Sequence, residues 1–157
     1  MLIVCTSDAH NRLDLLEKIH HNHPNANLYL DAGDTERHDF EIEPFISVKG
    51  NCDRYITNKY RIVEVEGFRI YIFHGDRSLL SLEALAQTAK KNECNFIIHG
   101  HTHVPHYSVY NGVHILCPGS IALPRSRDGT TYALITIHGE NLDIQFLKVK
   151  QCLSNLI

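Results

Sequence analysis

Apolar runs separated by short polar loops fill the first two thirds of the chain, and run after run ends in Asp, Asn or His. Leu2 to Thr6 reads as a continuous apolar strand, the pattern of a strand covered on both faces, and Ser7-Asp8-Ala9-His10-Asn11 follows it. From Arg12 to His21 the apolar residues Leu13, Leu16 and Ile19 recur at helical spacing, with Asn11 as candidate cap and Asp14 in the first turn. Leu28-Tyr29-Leu30 runs into Asp31-Ala32-Gly33-Asp34, and Phe45-Ile46-Ser47-Val48 into Gly50-Asn51-Cys52-Asp53. Phe68 to Phe73 ends at His74-Gly75, and Leu82, Leu85, Ala86 and Ala89 predict a second helix reaching Asn92. Asn95 to Ile98 ends at His99-Gly100-His101-Thr102-His103.

Beyond His103 the texture becomes β. Tyr107 to Tyr110, His114 to Cys117, Thr131 to His138 and Leu142 to Val149 read as strands, with a hairpin turn at Asn111-Gly112 and another turn at His138-Gly139-Glu140-Asn141. The pattern predicts an α/β chain whose two mixed sheets pack face to face with helices outside. No repeat or Pro-rich linker divides it, so one domain over residues 1–157 is expected.

Composition narrows the function classes. A net charge of −3 leaves no basic stripe for an extended nucleic-acid surface, while a small phosphate site stays compatible. Five cysteines without a C-x-x-C pair fit a reducing compartment. The apolar amino terminus is short for a signal peptide and lacks a basic lead, and no run approaches a membrane span, so a cytoplasmic protein is expected. Histidine is abundant, with 12 residues against 15 Lys and Arg combined, which calls for a site that uses imidazole.

Seven side chains answer that call: Asp8, His10, Asp34, Asn51, His74, His101 and His103. Asp8-x-His10 and His101-x-His103 pair ligands two residues apart, and neither pair contains the thiolates of a closed structural zinc site. Open coordination by nitrogen and oxygen points to catalysis. Gly33, Gly50 and Gly100 each precede a candidate ligand, where glycine tolerates the φ of a sharp strand exit. Asp34 has two oxygens and is the natural bridge between two cations ~3.5–4 Å apart, a pair that clamps a phosphate and lowers the pKa of its water.

These residues resemble the calcineurin-like metallophosphoesterases, whose pattern of D-x-H, G-D, G-N-x-D, H and G-H-x-H is present in order from Asp8 to His103. Cys52, Pro118-Gly119-Ser120 and Pro124-Arg125 are similar to the short YfcE-type bacterial and archaeal phosphodiesterases of that family. The resemblance implies a four-layer α/β/β/α sandwich of two mixed sheets. It implies two divalent cations, Mn2+ foremost with Ni2+, Fe2+, Mg2+ or Zn2+ as alternatives. Asp8, His10, Asp34 and His103 would hold one ion, and Asp34, Asn51, His74 and His101 the other. The implied reaction is hydrolysis of a small phosphodiester by a metal-bridging hydroxide, with both ions and His74 or neighbouring donors stabilising the developing charge and Asn51, His74 and Asp53 as the expected catalytic residues.

Asp53 is expected to orient a metal-bound imidazole or the surroundings of the bridging water, or simply to cap a turn. Ser120 and Arg125 are expected near the site but not as ligands, and His99 as structural. Larger relatives carry His where Cys52 stands and use it as proton donor, so protonation of the leaving group is unassigned here. Close relatives place His at Asp76, expected here as a surface carboxylate, and Asn at Cys117. A homo-oligomer is compatible with the apolar residues of the later strands. The competing class is a non-catalytic scaffold of the same fold, as in the retromer subunit.

Overall fold

The structure is a computed structural model that describes residues 1–149. Among these residues, ten strands and two α-helices follow in the order β1 (Leu2–Thr6), α1 (Leu13–Asn22), β2 (Leu28–Asp31), β3 (Phe45–Ile46), β4 (Tyr60–Val65), β5 (Phe68–Phe73), α2 (Leu82–Lys91), β6 (Phe96–Ile98), β7 (His106–Tyr110), β8 (Val113–Cys117), β9 (Thr131–His138) and β10 (Asn141–Lys148). They form two five-stranded sheets, ordered β10-β9-β1-β2-β3 and β4-β5-β6-β8-β7. In the first, β1, β2 and β3 are parallel; in the second, β5, β6 and β8 are. Antiparallel pairs complete each sheet, so both are mixed.

Alternation along each strand assigns side chains to layers, because successive residues point to opposite faces. Ile3, Cys5, Leu30, Ile135 and Ile137 from one sheet meet Ile70, Ile72, Phe96, Ile98 and Leu116 from the other in the central core. The intervening Val4, Tyr29 and Tyr132 pack under Leu15, Leu16 and Ile19 of α1. Tyr71, Phe73, Ile97 and Ile115 pack under Leu85, Ala86 and Ala89 of α2. Helix, sheet, sheet, helix is therefore the layer order. Among the described residues no helix is long and apolar enough to cross a membrane.

Three local expectations change. Asn11 does not cap α1; it sits at φ 70°, and the cap position is Arg12, which makes no side-chain capping bond. The Phe45 strand ends at Ile46, earlier than expected. Strand β4 is an addition that the apolar pattern does not announce, since Arg61 and Glu64 interrupt it. It pairs antiparallel with β5 from Tyr60 opposite Phe73 to Val65 opposite Phe68, and the turn residues Glu66 and Gly67 both take positive φ, as a tight hairpin requires. Asn111 and Gly112 do the same between β7 and β8, as expected.

Phe96 is fully buried between the sheets, its ring stacked on His114 at 5.5 Å and edge-on to Phe68. Phe96→Ala is expected to cost about 3–5 kcal/mol, read as a lower urea midpoint with an unchanged slope.

Candidate metal centre

The carboxyl ends of the parallel strands in both sheets converge on one edge of the sandwich. Asp8 and His10 leave β1, Asp34 leaves β2, Asn51 follows β3, His74 follows β5, and His101 and His103 follow β6. Backbone bonds lock these loops together: the Asp8 and His10 amides donate to the carbonyls of Gly33 and Asp34, and Gly100 donates to that of His74.

Five of the seven candidate ligand residues adopt left-handed backbone. Asp8, His10, Asp34, His101 and His103 have φ of 54°, 44°, 62°, 73° and 60°. Each such non-glycine residue stores strain on the order of 1–3 kcal/mol, which persists where the surroundings over-determine the conformation and is concentrated at functional sites. Of the preceding glycines only Gly33 has positive φ, which corrects the expectation for the other two. Gly50 and Gly100 are needed for space. A Cβ on Gly50 would lie 2.1 Å from Asp34 Oδ1, and one on Gly100 2.1 Å from Ser7 Oγ.

Asp8 is completely buried and its two oxygens have different fates. Oδ2 accepts from the Ser7 hydroxyl at 2.6 Å and the His101 amide at 3.1 Å. Oδ1 has no hydrogen-bond partner, although His103 Nε2 lies at 3.1 Å and the Nε2 atoms of His10 and His74 at 3.7 Å. Asp34 repeats the division: Oδ1 accepts from the Cys52 amide at 2.9 Å, and Oδ2 faces His74 Nε2 at 3.1 Å. The Nδ1 atoms of His74 and His103 are bonded to the carbonyl oxygens of Ala32 and Leu123, which turns each Nε2 lone pair inward. His74 Nε2 is likewise buried without a hydrogen-bond partner.

Electrostatics agree with a cradle for positive charge. Burial raises the Asp8 pKa, but the imidazoles of His10 and His103 facing it outweigh that effect and hold the group well below the carboxylate range. Burial lowers that of His74, yet Asp34 and Asp8 pull it up to about 9. Asp8, His10 and His103, then Asp8, Asp34 and His74, then His10, Asp34 and Cys52 each bring ligand atoms within 4.8 Å of one another. The His101 ring stands against that of His74 at 5.2 Å, while Asn51 is exposed at the rim with its amide 3.6 Å from the Cys52 sulfur. Unpartnered buried carboxylate oxygen and imidazole nitrogen, facing one another, are the donor set that a divalent cation satisfies.

The sequence pattern of the calcineurin-like phosphoesterase superfamily domain matches residues 1–140. The chain is 31% identical over 158 residues to a protein named "Probable metallophosphoesterase YsnB" of Bacillus subtilis (strain 168), covering 93% of this chain and 90% of that one. It belongs to the calcineurin-like phosphoesterase superfamily. Phosphodiesterase YfcE of Escherichia coli (strain K12) is 27% identical over 116 residues, 68% of this chain and 60% of its own. A conserved, predicted phosphoesterase of Streptococcus pneumoniae TIGR4 superposes with a TM-score of 0.86 at 25% identity, covering 95% and 90% of the two chains. A single mutant of Vps29 from Entamoeba histolytica shares the fold with a TM-score of 0.75 at 22% identity, covering 93% and 91%. Divalent metals serve this family, and the buried donors fit them.

Within the phosphoesterase fold, Asp53 holds backbone, not imidazole. Its buried carboxylate accepts from the amides of Asp34, Glu36 and Gly50, all at 2.7–2.8 Å, which pins the second ligand loop to the third. Cys52 turns its sulfur toward His10 and Asp34, and burial with the Asp34 and Glu36 charges pushes the thiol up to about 11. Ser120 is buried; its hydroxyl donates to the Asp8 carbonyl and accepts from the amides of Ala122 and Leu123, while the Arg125 amide bonds the His103 carbonyl. Asp76 is half-buried in the wall of the adjoining cleft. His99 is buried with Nδ1 against the Gly100 carbonyl.

Asp31 went unassigned in the sequence, where it looks like one more polar strand end. Completely buried, it accepts from the hydroxyls of Thr6 and Ser47 and the Gly33 amide, joining all three ligand loops of the first sheet. Burial outweighs these donors and raises its pKa to about 7. An acid raised in the folded state favours folding most when neutral: that contribution is complete below the unfolded value of ~4 and is lost as pH climbs to the folded value. Between about pH 4 and 7 the native chain should therefore lose stability relative to Asp31→Asn; parallel urea-unfolding curves across that window would overturn this. A divalent cation titrated into chelator-treated protein should raise the Tm by about 5–10 °C at a hundredfold excess over its Kd. Asp8→Asn should remove that shift.

Proposed function

We propose that this phosphoesterase is a phosphodiesterase that works with two divalent cations, Mn2+ foremost, on a small phosphodiester. The observation that carries the reading is Asp8 Oδ1, buried and unpartnered among the Nε2 atoms of His10, His74 and His103. Asp8, His10, Asp34 and His103 are assigned to one ion, and Asp34, Asn51, His74 and His101 to the other. Bound there, the cations would neutralise phosphate charge and lower the pKa of a water at neutral pH.

The chain's own part is positional and electrostatic. Asp34, its carboxyl held below the ordinary range by His74 despite the opposing effect of burial, stays ionised and is placed to be shared. The bond between His74 Nδ1 and Ala32 fixes the tautomer that leaves Nε2 as a donor of its lone pair. Asn51, exposed at the rim, would offer its amide to a phosphate oxygen in place of the Cys52 sulfur. The Cys52 thiol keeps its proton at neutral pH beside Asp34. Likeness to YfcE supports a diester substrate, and the carboxylate and amide oxygens in the mixed nitrogen and oxygen donor set are compatible with Mn2+. The scaffold reading draws on the fold shared with Vps29, but YsnB and YfcE, similar to this chain in sequence, are named a probable metallophosphoesterase and a phosphodiesterase, which supports the enzyme.

Purified protein with Mn2+ is expected to hydrolyse bis(4-nitrophenyl) phosphate faster than 4-nitrophenyl phosphate. Asp34→Asn and His74→Ala should each lower kcat by about 100-fold or more. Hydrolysis indifferent to chelation, or equal in both variants to wild type, would sink the enzyme reading; complete inactivity of metal-loaded wild type would favour the scaffold.

A further inference from the structure

A cleft of about 790 Å³ adjoins the metal-ligand cluster, with Asn51 and His74 in its lining. That volume lies in the range of about 300–1,000 Å³ that holds a small-molecule ligand. Its walls are chemically uneven. Tyr60 and Tyr71 stack almost parallel, with centroids 5.2 Å apart and planes 12° from each other. They are diagonal neighbours on one face of the β4–β5 pair, since Tyr71 lies opposite Ile62, two residues from Tyr60. Tyr71 is buried, but Tyr60 is 52% exposed, so its ring is backed on one side and open to the cleft.

Positive charge gathers beside this platform. Lys49, Lys59 and Arg77 line the cleft against a single acid, Asp76, in a chain whose net charge is −3. The Lys49 ammonium donates to the Asp53 carbonyl at 2.6 Å, whereas Lys59 and Arg77 form no ion pair among the described residues. A backed aromatic face stacks a flat base without regard to its identity, and an unpaired guanidinium and ammonium suit a phosphate.

We propose that this cleft takes an aromatic base on Tyr60 and a second, non-scissile phosphate on Lys59 and Arg77. The substrate class is then a short nucleotide phosphodiester carrying a terminal phosphate, such as a 5′-phosphorylated dinucleotide. The inference rests on the phosphodiesterase reading and specifies its substrate. Net negative charge and the lack of a basic stripe disfavour a long polymer.

The test uses Mn2+-loaded protein with three substrates: the 5′-phosphorylated diadenosine dinucleotide, the same dinucleotide without that phosphate, and methyl 4-nitrophenyl phosphate, which has neither base nor second phosphate. Tyr60→Ala should lower kcat/KM for the phosphorylated dinucleotide about tenfold more than for the methyl ester, chiefly through KM, and Tyr60→Phe should retain it. Lys59→Ala combined with Arg77→Ala should erase the preference for the phosphorylated over the unphosphorylated dinucleotide. Equal effects of these variants on all three substrates would overturn the subsite while leaving the phosphodiesterase reading intact. If wild type hydrolyses none of them, that reading fails, and calorimetry with adenosine 5′-monophosphate decides the subsite separately. Binding weakened fivefold or more in Tyr60→Ala supports it, and no binding, or binding unchanged in the variant, overturns it.

Discussion

Two buried carboxylates, each with one oxygen bound to the protein and the other turned toward imidazole nitrogens, set the terms for everything around them. A buried anion without a compensating positive charge is costly, and here Asp8 Oδ1 and His74 Nε2 face one another at 3.7 Å with neither satisfied by a hydrogen bond. The surroundings do not relieve this by rotating the groups away. Ser7 and the His101 amide hold the far oxygen of Asp8, the Cys52 amide holds that of Asp34, and Ala32 holds His74. An arrangement so fixed is preorganised for charge that arrives from outside.

Keeping it fixed draws on residues that never face the site. Asp31 ties the exits of the first three parallel strands through Thr6, Gly33 and Ser47, and Asp53 ties the second and third loops through Asp34, Glu36 and Gly50. Ser120, from the loop after β8, reaches the Asp8 carbonyl, and the same turn receives His103 Nδ1 at Leu123. These clamps explain how five non-glycine residues remain at positive φ in one place, since the loops that carry them are held from several sides. Gly50 and Gly100 complete the scheme by letting backbone approach where any side chain would collide with Asp34 or Ser7.

The sandwich also makes the site asymmetric. Asp31 and Asp53 back it on the first sheet, while the second sheet contributes His74, His101 and His103 and then opens into a cleft whose wall is the β4–β5 hairpin. That hairpin brings Tyr60, Tyr71 and Phe73 together with Lys59 near the carboxyl end of β5, so a sheet edge forms the cleft wall beside the candidate metal ligands.

The layers and the order of the ligand loops were legible in the chain before any folding, because unbroken apolar runs such as Leu2–Thr6 and Phe68–Phe73 suit strands covered on both faces. The ends of such runs also singled out Asp8, His10, Asp34, Asn51, His74, His101 and His103, and turn chemistry singled out the Asn111-Gly112 hairpin. Strand β4 stayed hidden because it lies at a sheet edge, where Arg61 and Glu64 interleave with apolar residues and blur the alternation. The bonds by which Asp31, Asp53 and Ser120 tie separate loops stayed hidden for a different reason: those partners lie between 16 and 112 positions away, and a hydrogen bond across such separations leaves no local pattern. Which oxygen of Asp8 is free, why Gly50 must be glycine, and which cations share the cleft with Tyr60 are matters of packing, since only the closed fold brings those atoms within reach of one another.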